Sequence, residues 1–328
     1  MDAAIAVQDL RKTYKPQSER RRKATPQPEI KALDGVSFEV GRGEFFGLLG
    51  PNGAGKTTTI GVLTTRIRPS GGSALVDRID VARNPVAVKR RIGVVPQANN
   101  LDRSLTGREN LLFHAEYFGI PKARREARAE ELLARFQLAE RADEKPNGYS
   151  GGMAQRLEIA RALMHEPAIL FLDEPTTGLD PQSRRAIWDM LRELNERGQT
   201  IFLTTHYMEE ADLLCRRIAI LDRGKLLAMD APARLKTSVP GGYVIELAVR
   251  GEAAASRQLQ STLRGLPGVV EVAAADGRIR LYADKAEGLL VHAMRAAGEQ
   301  GVMVTDAHIA EPSLENLFLH LTGRSLRE

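Results

Sequence analysis

The residues best equipped for chemistry stand together as Gly50-Pro51-Asn52-Gly53-Ala54-Gly55-Lys56-Thr57-Thr58. Their spacing, G-x-x-x-x-G-K-[ST], suits one task, holding the phosphates of a nucleotide. Glycines let successive amide N–H groups turn inward around an anion. A helix starting directly after the loop adds the positive end of its dipole. Lys56 would reach the outer phosphates, and the Thr57 hydroxyl would bind magnesium. The pattern is meaningful only between a strand and a helix. The apolar run Phe45-Phe46-Gly47-Leu48-Leu49 predicts a buried strand before it, and residues 58–63 can form a helix after it.

Further reactive side chains fall at the ends of other apolar runs. Ile169-Leu170-Phe171-Leu172 predicts a buried strand that ends in Asp173-Glu174. Asp173 can hold magnesium directly or through water, and Glu174 can orient an attacking water or take its proton. Gln97 follows the run Ile92-Gly93-Val94-Val95-Pro96 and suits a sensor of metal and water. His206 follows Thr204-Thr205, where an imidazole can hydrogen-bond a terminal phosphate. Ser150-Gly151-Gly152 heads a helix, a second device for holding phosphate. On residue type alone, Ser150 reads equally well as a simple N-cap, and a lone histidine at a strand end, as His206 is, is usually structural.

The elements that must position these groups alternate between apolar strand and amphipathic helix. Residues 1–48 read as strands, interrupted by a loop rich in proline and charge that contains Arg20, Arg21, Arg22 and Lys23. Another strand begins near Leu75, and residues 106–145 are helical in character. A helix over 186–196 closes at Gly198, a strand spans 200–205, and 218–228 form a hairpin around Arg223-Gly224. The alternation indicates a mostly parallel sheet covered on both faces. Past Pro240-Gly241-Gly242 the pattern restarts as β-α-β-β-α-β, the ferredoxin-like split motif. A closing helix there carries Leu314, Leu317, Phe318 and Leu321 on one face.

Length and composition narrow the class. The 328 residues suffice for one large domain and a smaller one. Hydrophobic content of 43% and charged content of 27% are those of a globular chain, and no apolar run reaches the roughly 20 residues of a spanning helix. No signal peptide is expected from the first residues. The one cysteine, Cys215, excludes an internal disulfide and reads as a small packed residue. The net charge of +5 discriminates poorly between an anionic ligand, a membrane surface and nucleic acid.

Taken together and in order, residues 50–57, Gln97, Ser150-Gly151-Gly152, residues 169–174, Gly178-Leu179-Asp180 and His206 resemble the ATP-binding subunit of ABC transporters. They match its Walker A, Q-loop, signature, Walker B, D-loop and H-loop. The resemblance covers about residues 1–235 and implies an α/β P-loop NTPase of the ABC type, with a helical subdomain at about 98–165. Residues 240–328 then form a small α+β accessory or regulatory domain. The resemblance implies ATP and Mg2+ as ligands, with Thr57, Gln97 and Asp173 on the metal. Glu174, His206 and Gln97 become the catalytic group. Tyr14 falls where the family stacks an aromatic on adenine, and Asp180 and Ser150 belong to the nucleotide-binding set. It also implies a homodimer that sandwiches ATP, separate transmembrane permease subunits, the cytoplasmic face of the cell membrane, and no nucleic acid. Residues 105–111, 149–153, 204–212 and 311–319 look like the drug-resistance and nodulation-factor export branch, although Tyr149 and Met153 replace the commonest leucine and glutamine of the signature. The rival classes are a soluble ABC protein acting on nucleic acid or the ribosome, and an importer subunit.

Overall fold

The computed structural model describes residues 3–15, 29–238, 240–275, 277–310 and 312–323, so the basic run at 20–23 lies outside the described residues. The chain divides into two compact units, 1–228 and 229–328.

In the first unit come β1 (Ala3–Tyr14), β2 (Ile30–Gly41), β3 (Phe45–Leu49), α1 (Lys56–Leu63), β4 (Gly71–Val76), β5 (Ile79–Asp80), α2 (Pro85–Lys89) and β6 (Ile92–Val95). Three helices follow: α3 (Gly107–Tyr117), α4 (Lys122–Arg135) and α5 (Gly151–Ala162). The unit closes with β7 (Ile169–Asp173), α6 (Pro181–Glu196), β8 (Thr200–Thr205), α7 (Met208–Leu214), β9 (Arg217–Asp222) and most of β10 (Lys225–Asp230).

Two sheets form. The larger has the order β10-β9-β3-β8-β7-β6, and every pair from β9 to β6 is parallel. Its strands β3, β7 and β8 are buried at every residue, as strands covered on both faces must be. The N-terminal strands do not join it. They make a separate antiparallel sheet, β2-β1-β4-β5, because β1 and β2 mix exposed with buried positions and so tolerate one wet face. A phenylalanine stack ties the two sheets: Phe38 of β2 lies 5.4 Å from Phe46 of β3, which lies 5.6 Å from Phe202 of β8. Truncating one such ring to alanine costs about 3–5 kcal/mol.

The helical stretch at 106–145 is not continuous. Gly119, at φ 73, and Pro121 break it into α3 and α4, with α3 opened by a Thr106–Glu109 capping box.

The second unit contains α8 (Pro232–Thr237), β11 (Tyr243–Arg250), α9 (Ala253–Arg264), β12 (Val269–Ala275), β13 (Arg278–Ala283), α10 (Leu289–Glu299), β14 (Met303–Ala310) and α11 (Leu314–Thr322). It starts ahead of Pro240 because α8 packs with α11. Its antiparallel sheet, β12-β13-β11-β14, has the ferredoxin-like order. Ile245, Leu247, Ile279 and Leu281 pack with Leu259 and Leu263 of α9 and Ala293 of α10. Glu246 is the ion-pair partner of both Arg278 and Arg280. On α11 the residues Leu314, Leu317 and Phe318 are buried, but Leu321, a full turn further along, is 39% exposed.

Candidate functional site

Parallel strands end together, so whatever follows them gathers at one edge of the sheet. Across β3-β8-β7-β6 that edge presents, in order, the 50–55 loop, His206, Asp173-Glu174 and Gln97. The loop is shaped by its glycines. A Cβ on Gly50 would lie 2.3 Å from Leu221 O, and one on Gly55 (φ 108) would lie 2.6 Å from Ala32 O. Gly53, at φ 79, instead has open space within 4 Å. Backbone bonds from Gly50 N to Thr205 O (3.3 Å) and from Gly224 N to Ala54 O (2.9 Å) fix the loop to its neighbours.

Lys56 is the first residue of α1 and only 4% exposed. Its ammonium donates to Gly50 O at 2.7 Å and Pro51 O at 3.1 Å and pairs with Glu174 Oε1 at 3.0 Å. Three directions satisfy three N–H groups. Glu174 Oε2 meets His206 Nδ1 at 2.9 Å, and Gln97 Nε2 donates to it at 3.4 Å. Glu174 is a non-glycine residue at φ 51. Its N–H donates to Thr204 O at 3.0 Å, which helps hold that backbone.

A pocket of about 490 Å³ opens beside these groups, lined by Tyr14, Gly53, Lys56, Thr57, Gln97 and Glu174 among others. Tyr14 is 40% exposed, and the Lys12 ammonium sits 5.0 Å from its ring centre. Pro51, Asn52, Gly55 and Thr58 line the pocket as well, whereas Gly50 and Ala54 are buried behind it. Asp173 does not line it. This buried carboxylate accepts from Thr204 Oγ1 at 2.6 Å and faces Arg66 Nη2 at 4.0 Å. Burial pushes the Asp173 carboxyl above its usual range, against the Thr204 hydrogen bond. A nearby cation would draw it back down. The Thr57 hydroxyl, the Gln97 carbonyl and the Asp173 carboxylate are hard oxygen donors, which suit magnesium. Among the described residues no group of three or more His, Cys, Asp or Glu gathers to hold a metal.

Ser150, Gly151, Gly152 and Asp180 lie apart from this pocket. Ser150 is exposed, and its hydroxyl accepts from Met153 N at 3.2 Å as the N-cap of α5. Asp180 caps α6, accepting from Ser183 N at 2.9 Å; that hydrogen bonding holds its carboxyl below the usual range.

One residue lining the pocket, and one tie next to the Gln97 segment, carry no sequence signal of their own. Arg223, read as a turn residue, lines the pocket. Beyond Gln97, Asn100 is gripped by α5: its N–H donates to Glu158 Oε1 at 2.6 Å, and its carbonyl accepts from Arg161 Nη1 at 3.0 Å. An acid between Leu157 and Ile159 was the one hint.

A phosphate loop heading a parallel sheet, with a glutamate two strands away reaching its lysine, defines a P-loop nucleoside triphosphatase. The ABC transporter family matches residues 33–177. The daunorubicin resistance ATP-binding protein DrrA2 of Streptomyces coeruleorubidus is 43% identical, over 90% of this chain and 91% of its own. The Nod factor export ATP-binding protein I of Paraburkholderia xenovorans is 39% identical, over 100% and 99%. Among solved structures, the dimeric post-hydrolysis state of the ATP-binding cassette MJ0796, bound to ADP and Pi, aligns with a TM-score of 0.61 at 31% identity, covering 69% of this chain and 98% of that one. The chain belongs to the ABC transporter family as an ATP-binding, ATP-hydrolysing subunit.

Proposed function

We propose that this ATPase powers a membrane exporter, working as a pair of identical subunits beneath separate transmembrane permease chains at the cytoplasmic face of the membrane. The observation that carries the chemistry is the convergence of Lys56, Glu174, His206 and Gln97 at one sheet edge beside the pocket. Phosphates lie against Lys56 and the amides of the loop, with Tyr14 beside the base. Mg2+, held by Thr57, Asp173 and Gln97, neutralises phosphate charge when bound. Glu174 orients the attacking water or takes its proton, and His206 holds Glu174 in place and reaches toward the terminal phosphate. Ser150 and Gly151 of the second copy complete the phosphate cage, and Asp180 stands near that junction. ATP then stabilises the closed pair, and hydrolysis releases it.

Export is supported by the relatives, whose names speak of daunorubicin resistance and Nod factor export. Residues 240–328 carry no reactive cluster among those described and are taken as an accessory or regulatory domain. Among the described residues no helix is long and apolar enough to cross a membrane. The test is copurification with a permease from detergent-solubilised membranes, followed by ATP-dependent transport in vesicles. A chain that ignores the permease and binds nucleic acid instead would overturn the exporter reading.

A further inference from the structure

α7 starts two residues after His206 and turns a carboxylate inward. Glu210 is fully buried, and its Oε1 accepts from the Thr176 hydroxyl at 2.8 Å and from the Trp188 indole N–H at 2.9 Å. Each partner adjoins a part of the site. Thr176 lies two residues past Glu174, in a turn where Thr177 N donates to Glu174 O and Leu179 N to Thr176 O, both at 3.2 Å. Glu210 itself sits on α7, whose first turn is joined to the residue after His206 by the Ala211 N–H donating to Tyr207 O at 3.2 Å. Trp188 belongs to α6, the helix capped by Asp180. One carboxylate therefore ties three segments together.

Packing alone does not account for an acid here. A buried carboxylate is costly, and an apolar side chain of similar volume is often neutral or better. Glu210 Oε2 has no hydrogen-bond partner, so the group is not there to satisfy itself. The neighbouring backbone does need holding. Glu174 at φ 51 occupies a left-handed conformation that persists only when its surroundings over-determine it.

We propose that Glu210 is a positioning residue, holding the Glu174 turn and the His206 strand end in the register at which those two side chains meet. The proposal rests on the reading of Glu174 as the residue that activates water.

In the full chain, Glu210→Ala lowers kcat for ATP roughly 10- to 100-fold, the cost of a small misplacement at the reacting centre. KM and the ATP dissociation constant from calorimetry stay unchanged, because Lys56 and its loop make no hydrogen bond or ion pair with Glu210. Trp188 is the one tryptophan in the chain, so its emission reports loss of its acceptor in the same variant. Glu210→Gln keeps a carbonyl oxygen for the same donors and restores both rate and emission toward the parent. A shifted emission with unchanged kcat overturns the proposal, as does a parallel loss of ATP binding, which marks general damage. Failure of glutamine to rescue the rate overturns it too. Thr176→Val deletes one hydroxyl of the network and serves if Glu210→Ala does not fold: its kcat must fall with ATP affinity kept, and an unchanged kcat overturns the proposal. Glu174→Gln run alongside separates the two levels. Normal turnover in that variant removes the role of Glu174 and this proposal with it. An inactive Glu174→Gln beside a fully active Glu210→Ala removes this proposal alone.

Discussion

Two helix N-termini in the first unit carry glycines and a hydroxyl residue, yet they face opposite surroundings. At α1 the glycines are locked against Leu221 and Ala32, the lysine is buried, and a carboxylate reaches it from two strands away. At α5 the serine is exposed, its hydroxyl is used for its own helix cap, and Gly152 is close-packed on Ser183 of α6. The same backbone device is in one case the floor of a pocket and in the other an outward-facing end. In the reading proposed above, the second is half of a site whose other half lies on another copy.

The largest expected effect tests that difference. Ser150→Arg should leave the ATP affinity of the isolated subunit unchanged while cutting turnover about 10³-fold, the scale of losing preorganised donors to a transition state. Weakened ATP binding by the isolated variant would show that Ser150 acts within its own subunit. Mixing Ser150→Arg with Lys56→Ala sharpens the point. One composite site of the mixed pair has then lost both devices, the other has kept both, and activity should return above either variant alone in an ATPase assay.

Glu174→Gln comes next. It keeps the shape but loses the base, so turnover should fall roughly 100-fold with ATP still bound. It also removes the negative charge that holds Lys56 at 3.0 Å, so calorimetry should report ATP affinity equal to or tighter than the parent's. A smaller loss is expected of Lys56→Ala, about 2 kcal/mol or roughly 30-fold of ATP binding, the worth of a charge-assisted hydrogen bond. The smallest is Gly151→Ala. Its Cβ would lie 3.1 Å from a flexible Leu179 methyl, so thermal unfolding should move by less than about 1 kcal/mol. Turnover of the paired form should nevertheless drop, since the added methyl stands at the exposed end of α5.

What could be read from the sequence follows the range of the interactions involved. The lysine loop is a local pattern. Gln97, Glu174 and His206 were legible because strands buried on both faces show as apolar runs, and parallel strands deliver their C-terminal ends to one place. Ser150 was legible as a helix start, since a cap needs only its own first turn, whereas Asp180 came from the resemblance alone: the helix expected over 186–196 starts earlier, at Pro181, with Asp180 as its cap. Glu210 was not, because its partners Thr176 and Trp188 lie 34 and 22 residues away and no local pattern announces them. Asn100 with Glu158 is the same case at a separation of 58 residues. The assignment of β1 and β2 to their own sheet depended on pairing, which strand propensity does not specify. In the 106–145 stretch, residues at helical spacing continue across Gly119 and Pro121, so periodicity hid a break that the backbone imposes.

Glycine-rich loops are often pictured as pliant, but this one is hemmed in at both ends, by carbonyls that admit no side chain at Gly50 or Gly55. Their amide network runs into β8 and the turn after β9 through Thr205 and Gly224. In hydrogen-exchange terms, the Gly50 and Gly224 amides should open only with the parallel sheet itself, far more slowly than a surface loop. A phosphate chain then meets a cradle that is already ordered, and little of its binding free energy is lost to freezing the backbone around it.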